Sequence, residues 1–231
     1  MATRSKQYQK MKKAAPAPDQ EFALKDAVAA VKKLSYSKFD GTVELHITLK
    51  LPKDTDMKSL KGSVSLPHST GTKDVKVAVF CTPDNEAAAK EAGADMYNME
   101  QLIKDVKGGK VDFDVAIATP DVMPQIAMLG KELGPRGLMP NPKTGTVTDD
   151  VATAVSEYKK GKLTFKCDDS GNMHFPVGKI SMEDEQIVEN IMAAVAAASD
   201  VVGRRPAQLV SKAHLAPTMG ASVKVRFEFE D

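Results

Sequence analysis

Two apolar runs rich in β-formers constrain this chain most: VKVAVFC at Val75–Cys81 and FDVAIA at Phe113–Ala118. Helical patterns surround them. Glu86–Ala92 and Met99–Lys107 lie between the runs, with a short strand expected at Asp95–Tyr97. Asp121–Leu133 follows as a helix with Pro124 in its first turn, and Asp149–Tyr158 is a further helix. Strands that alternate with helices predict βαβ units around a parallel sheet.

The two ends read differently. Glu21–Leu34 predicts a helix, with Phe22, Ala27, Val28, Val31 and Leu34 near helical spacing. Thr42–Leu49 alternates strictly, Val43, Leu45, Ile47 and Leu49 against Thr42, Glu44, His46 and Thr48. That is a strand with one buried face. Residues 50–62 read as charged and irregular. Beyond Lys162, Leu163–Lys166 and Met173–Val177 predict strands around a turn at Asp169–Ser170–Gly171. Ser181 with Asp184 signals a helix start, and Ile187, Ile191, Met192 and Val195 line one face of that helix to about Ala198. Leu209–Ala216 and Ser222–Phe229 predict two strands joined at Pro217–Gly220, the second alternating Val223, Val225, Phe227 and Phe229 with Lys224, Arg226 and Glu228.

The fold class is therefore α/β. An α+β domain is built from both ends, residues 1–67 and 160–231, and an α/β domain is inserted at 68–159. Two crossings between domains make a natural hinge. The first twenty residues predict a basic tail carrying Arg4, Lys6, Lys10, Lys12 and Lys13. A length of 231 residues and 42% hydrophobic content allow real cores, and the formal charge of +1 neither advertises nor excludes nucleic-acid binding. With aromatics at 5% and no Trp, base-stacking platforms are few. Cys81 and Cys167 read as buried thiols in a reducing compartment. No membrane span or signal segment is visible, so the cytoplasm is expected.

Catalytic patterns are weak. Gly137–Thr144 comes within one residue of a phosphate loop, but Pro142 stands where glycine is needed and Pro140 removes a second donor. No Gly-x-Gly-x-x-Gly follows the first apolar run. His46, His68, His174 and His214 stand far apart with no metal-ligand spacing, and His46 falls on a solvent face. Asp149–Asp150 and Asp168–Asp169 suit caps and turns better than acid–base work. No enzyme activity, metal or cofactor is expected.

The stretch LGPRGLMPNPKTGTVT at Leu133–Thr148 resembles the signature of the large-subunit ribosomal protein L-one family, bacterial type, the protein of the mobile side stalk. SKFDGTVELHITL at Ser37–Leu49, GSVSLPHSTG at Gly62–Gly71, FDVAIATPDVM at Phe113–Met123, HFPVGK at His174–Lys179 and PTMGASV at Pro217–Val223 support it in family order. The chain departs from the usual pattern at Lys61, Ser69, Thr72 and Pro217.

The resemblance implies a Rossmann-like inserted domain and an RNA-binding domain built from the two ends. It implies binding to the side stalk of the large-subunit ribosomal RNA and release of deacylated exit-site tRNA. It also implies repression of the protein's own operon mRNA, and a monomer is expected when the protein is free. The implied RNA contacts are Lys38, Phe39, Thr42, Glu44, Thr218, Met219 and Gly220, with His174 and Lys179 nearby. Thr218 is expected to offer its hydroxyl to ribose 2′-OH groups, Met219 to cover a sugar or base face, and Lys38 to meet a phosphate. Arg136 and Lys143 are candidates for a secondary contact, toward RNA or across the interdomain cleft.

Overall fold

A computed structural model describes residues 9, 11–12, 15–17, 20–52, 55–70 and 75–227. Most of the basic tail, Thr72, Glu228 and Phe229 lie outside the described residues. The chain divides into two units, Met1–Gly71 with Phe165–Asp231, and Thr72–Thr164.

The first unit is built on a five-stranded sheet of β1 (Glu21–Ala23), β2 (Thr42–Leu49), β7 (Asn172–Lys179), β8 (Val210–Pro217) and β9 (Val223–Arg226). Its order is β1-β9-β8-β2-β7, with β1 parallel to β9 and the other neighbours antiparallel. Strict alternation in β2 decides which face is covered. Val43, Leu45, Ile47 and Leu49 are buried, while the residues between them are partly exposed. Helices α1 (Leu24–Leu34) and α7 (Asp184–Val202) pack against the sheet and each other. They bury Ala27, Val28 and Val31 against Ile187, Ile191, Ala194 and Val195. Each such Val or Ile side chain contributes about 1.5–3 kcal/mol when removed from water. Strand β3 (Lys61–Ser65) pairs with β6 (Lys162–Lys166) as a separate ribbon. In this unit the other face of the five-stranded sheet keeps its polar residues, as an antiparallel sheet covered on one side allows.

In the second unit, β4 (Val77–Phe80) and β5 (Val115–Ala118) run parallel in register. Parallel bridges Ala78–Met96 and Ala118–Val147 extend the sheet on both sides. The four side chains of β4 are all buried because successive residues feed two different cores. Ala78 and Phe80 join Leu102, Val106, Ile126 and Leu133 on one side; Val77 and Val79 join Ala89, Val151, Val155 and Tyr158 on the other. The helices that supply these partners are α2 (Pro83–Glu91), α3 (Met99–Lys107), α4 (Met123–Ala127), α5 (Gly130–Arg136) and α6 (Val151–Lys159). A parallel sheet covered on both faces is the expected α/β arrangement.

Several expectations are corrected. Residues 21–23 form β1 and not helix, since they extend the sheet beside β9, and α1 begins only at Leu24. The segment at 50–62 is not wholly irregular: it holds a 3₁₀ turn at Met57–Ser59 and the start of β3. Asp95–Tyr97 makes a single bridge at Met96. The single helix at Asp121–Leu133 is instead a 3₁₀ turn at Pro120–Val122 followed by α4 and α5. Pro124 does lie in the first turn of α4.

Helix α7 starts from a capping box of Glu183 and Gln186 and not from Ser181, whose hydroxyl donates to Asp40. Met192 is 42% exposed, and Asn190 takes the place in the buried stripe that a polar residue conceals in sequence. One aspartate of each acid pair takes the expected role. Asp150 caps α6 by accepting from Thr153 N–H, and Asp168 closes its turn by accepting from the N–H groups of Ser170 and Asn172. The Thr153 hydroxyl and then its N–H hold the Asp150 carboxyl below the usual range, and the Asn172 N–H and amide, with the Ser170 N–H, do the same for Asp168.

Candidate nucleic-acid interface

One end of the five-stranded sheet gathers residues that are remote in sequence. Thr42 opens β2 opposite Lys179, the last residue of β7, and Val43 lies opposite Pro217, the last residue of β8. The turn after β8 is tied to β2 by Thr218. Its hydroxyl accepts from Thr42 N–H at 2.9 Å and donates to Thr42 C=O at 3.1 Å. Thr218 N–H donates to the same carbonyl at 2.9 Å. The hydroxyl's one proton is thus committed to the fold, which narrows the expected role of Thr218: a ribose could use only its remaining lone pair. Thr218→Ala removes two bonds and should cost about 1–2 kcal/mol, seen as a lower denaturation midpoint.

Gly220 is needed for space. A Cβ there would lie 2.4 Å from Pro217 Cγ and 2.9 Å from the carbonyl oxygen of Leu34. The turn therefore seats directly on the C-terminal end of α1, and Tyr36 N–H donates to Met219 C=O at 3.2 Å. This brings the 35–41 loop alongside. Ser37 Oγ donates to Phe39 C=O, and Asp40 accepts from both Ser181 N–H and Ser181 Oγ. With the backbone held on both sides, Phe39 is 58% exposed and Met219 39% exposed. Phe39 is therefore not a core residue. Lys38 is exposed beside it.

The rest of the predicted set follows along the uncovered face. Glu44 stands opposite Pro176 and Ala216, and His46 stands opposite His174 on one side and His214 on the other. His46 Nδ1 and His174 Nδ1 are 2.7 Å apart, and their rings meet edge-on at 5.0 Å between centroids. Three histidines that look scattered in sequence thus form one row across three strands, and the expectation that they stand apart is overturned. His68 lies elsewhere in this unit, with its Nε2 2.6 Å from Glu189. Register, which fixes such rows, is a tertiary property. The signal available in sequence was the shared parity of Thr42, Glu44 and His46, and of Lys224 and Arg226. Beyond the histidines, His214 faces Lys224, which pairs with Glu21 at 2.8 Å. That bond holds the Glu21 carboxyl below the usual carboxylate range.

Arg136 and Lys143 belong to the second unit and are both exposed. Arg136 reaches the carbonyl of Gly109 at 3.5 Å. The loop between them is closed by its own bonds. Asn141 accepts from Lys143 N–H, Thr144 N–H and Thr146 N–H, and Gly145 N–H donates to Pro142 C=O. Tyr158 Oη donates to Thr144 C=O at 2.9 Å, and burial pushes the phenol up to about 12. The N–H groups a phosphate cradle would use are thus spent inside the loop. Rigidity at Gly137–Thr146 comes from this network. The Cys81 and Cys167 thiols are buried and pushed up by that burial, away from nucleophilic use. Among the described residues no cluster of His, Cys, Asp or Glu is arranged to hold a metal ion, and no helix is long and apolar enough to cross a membrane.

The family model described as "Ribosomal protein L1p/L10e family" matches residues 31–221. The chain is 46% identical to the large ribosomal subunit protein uL1 of Fervidobacterium nodosum, over 97% of this chain and 96% of the relative. It is 44% identical to that of Limosilactobacillus reuteri over 95% of each chain, and 43% identical to that of Bacteroides thetaiotaomicron over 88% of each. The match runs from within α1 to the turn at Gly220 and so includes both halves of the sheet end and the whole second unit. The chain belongs to the ribosomal protein L1p/L10e family and is a structural protein of the large ribosomal subunit.

Proposed function

We propose that the chain binds ribosomal RNA of the mobile side stalk through the loop end of its first unit, with Lys38, Phe39, Thr42, Glu44, His174, Lys179, Thr218, Met219 and Gly220 as the contact set. The RNA-binding domain in this reading comprises residues 1–67 and 160–231, and the inserted domain residues 68–159. The observation that carries it is the rigid display of two large apolar side chains, Phe39 and Met219, beside the Thr42–Thr218 bonds. Exposed apolar groups on a fixed backbone suit stacking and sugar contact. The neighbouring lysines suit phosphates, and the closed loop backbone suits recognition led by shape. On the ribosome in the cytoplasm, the same protein would assist release of deacylated tRNA from the exit site. A stalk-like site in its own operon mRNA would engage the same surface, which is how repression would arise.

The test is binding of the full chain to a stalk-derived RNA fragment and to a scrambled hairpin, across a salt series. Selective binding that weakens with salt is expected. Phe39→Ala should weaken it about tenfold, from a lost stacking contact worth roughly 1–3 kcal/mol. Equal affinity for both RNAs, or a Phe39→Ala variant with native affinity, would contradict the assignment.

A further inference from the structure

The uncovered face of the first unit carries a row that no predicted contact set includes as a whole. Reading across the strands, His174, His46, His214 and Lys224 are successive cross-strand partners, and Glu21 ends the row. Three strand spacings of about 4.8 Å separate His174 from Lys224, a run of roughly 14 Å. A helical nucleic-acid strand rises about 3.4 Å per phosphate, so the row is long enough to follow a few nucleotides. It lies four residues along β2 from Thr42, on the same face, with Glu44 between them.

We propose that this row is a second RNA-contacting strip, which takes a sugar–phosphate strand continuing from the loop end and takes up a proton as it does so. The proposal rests on the RNA-binding reading above.

The geometry of the histidine pair carries the chemistry. Two Nδ1 atoms at 2.7 Å share one proton, since one must donate and the other accept. In the neutral pair one outward Nε2 carries a proton and the other a lone pair. The strip then offers one donor and one acceptor. A single added proton makes both Nε2 atoms donors and leaves the shared bond intact. A second added proton would have to break it. The pair is therefore a one-proton device that turns from mixed to wholly donating, as a phosphate or 2′-OH acceptor requires.

The surrounding charges are all on this face or its margin. On β2, Glu44 lies 3.7 Å from His46 Nε2. On β7 and the turn before it, Asp168 lies 3.8 Å from His174 Nε2, but it is already occupied by the N–H groups of Ser170 and Asn172 and by the Asn172 amide. On β8, Lys212 contributes positive charge and His214 a further titratable ring, and on β9 Lys224 is held by Glu21 of β1. Burial, the His174 ring and then His214 keep the His46 ring below its ordinary value, against Glu44. Burial, Lys224 and Lys212 do the same for His214. A histidine lowered in the fold favours the neutral ring, so its contribution to free-chain stability is present above about 6.5 and is lost as pH falls from there through the lower folded value. RNA phosphates reverse the bias. Affinity then rises as pH falls through the value in the complex and levels off below the value in the free protein.

The experiment measures the affinity of the full chain for the stalk fragment at constant salt between pH 8 and pH 5.5. Binding heats in two buffers of different ionisation enthalpy count the protons. Expected is uptake that peaks at about half a proton and a gain of about tenfold on acidification, the effect of a shift of one unit in one group. His46→Gln with His214→Gln should flatten the profile. His174→Gln alone, at an exposed position, should remove the shared-proton device with little effect on folding. A wild-type profile flat in pH, with selective RNA binding intact, would overturn the strip and leave the RNA-binding reading standing. An unchanged slope in His174→Gln would overturn it too. Failure to bind the fragment at any pH would overturn both.

Discussion

Gly220→Ala should destabilise the first unit by about 1–3 kcal/mol, the range for added bulk in a packed site, and should also abolish tight RNA binding. Both effects have one origin. The added Cβ meets Pro217 within the turn and the Leu34 carbonyl at the end of α1, and neither is the far end of a flexible side chain. Relief requires the turn to lift from α1. That movement loosens the bond from Tyr36 N–H to Met219 C=O and disturbs the Thr218 bonds to Thr42. The display of Phe39 and Met219 depends on those bonds. Chemical denaturation and RNA titration of the same variant check the two effects together. An Ala variant with native stability would mean that the turn is not held as tightly as its contacts indicate.

Asn190→Leu should cost about 3 kcal/mol, since one buried and two partly buried backbone groups lose their partner at roughly 1 kcal/mol each. Asn190 is fully buried on the sheet-facing side of α7. Its amide donates to the carbonyls of His68 and Val177 at 3.0 Å and 2.8 Å, and its oxygen accepts from His68 N–H at 3.0 Å. The leucine would suit the apolar stripe by character, yet it leaves two carbonyls and one N–H unsatisfied. Those groups include both backbone atoms that hold the chain at His68, and β7 at Val177. A denaturation midpoint close to the native one would show that water replaces the amide.

The elements of the chain were largely legible where one physical rule dominated. Strict alternation in Thr42–Leu49 gave the strand, its buried face and the solvent face on which His46 lies. Apolar runs separated by helices gave the parallel sheet of the second unit. Local pattern failed where partners from afar decided the outcome. Residues 21–23 look helical, but β9 recruits them as a strand. Asn190 looks like a surface residue until its three backbone partners are known. Met192 has core chemistry at an exposed position. The Thr42–Thr218 bonds join residues far apart in the chain, and the histidine row exists only through the register of three strands. The family resemblance named much of the loop-end set. It gave no hint of Lys224 or His214 beside it.

The central claim is that RNA is held at the loop end and uncovered face of the first unit. The most direct measurement is backbone amide shift mapping of the full chain as the stalk fragment is added. The account predicts the largest changes at residues 38–46, 174–179 and 214–220, with α6 in the second unit little affected. Changes confined to residues 75–159, with the first unit silent, would contradict it.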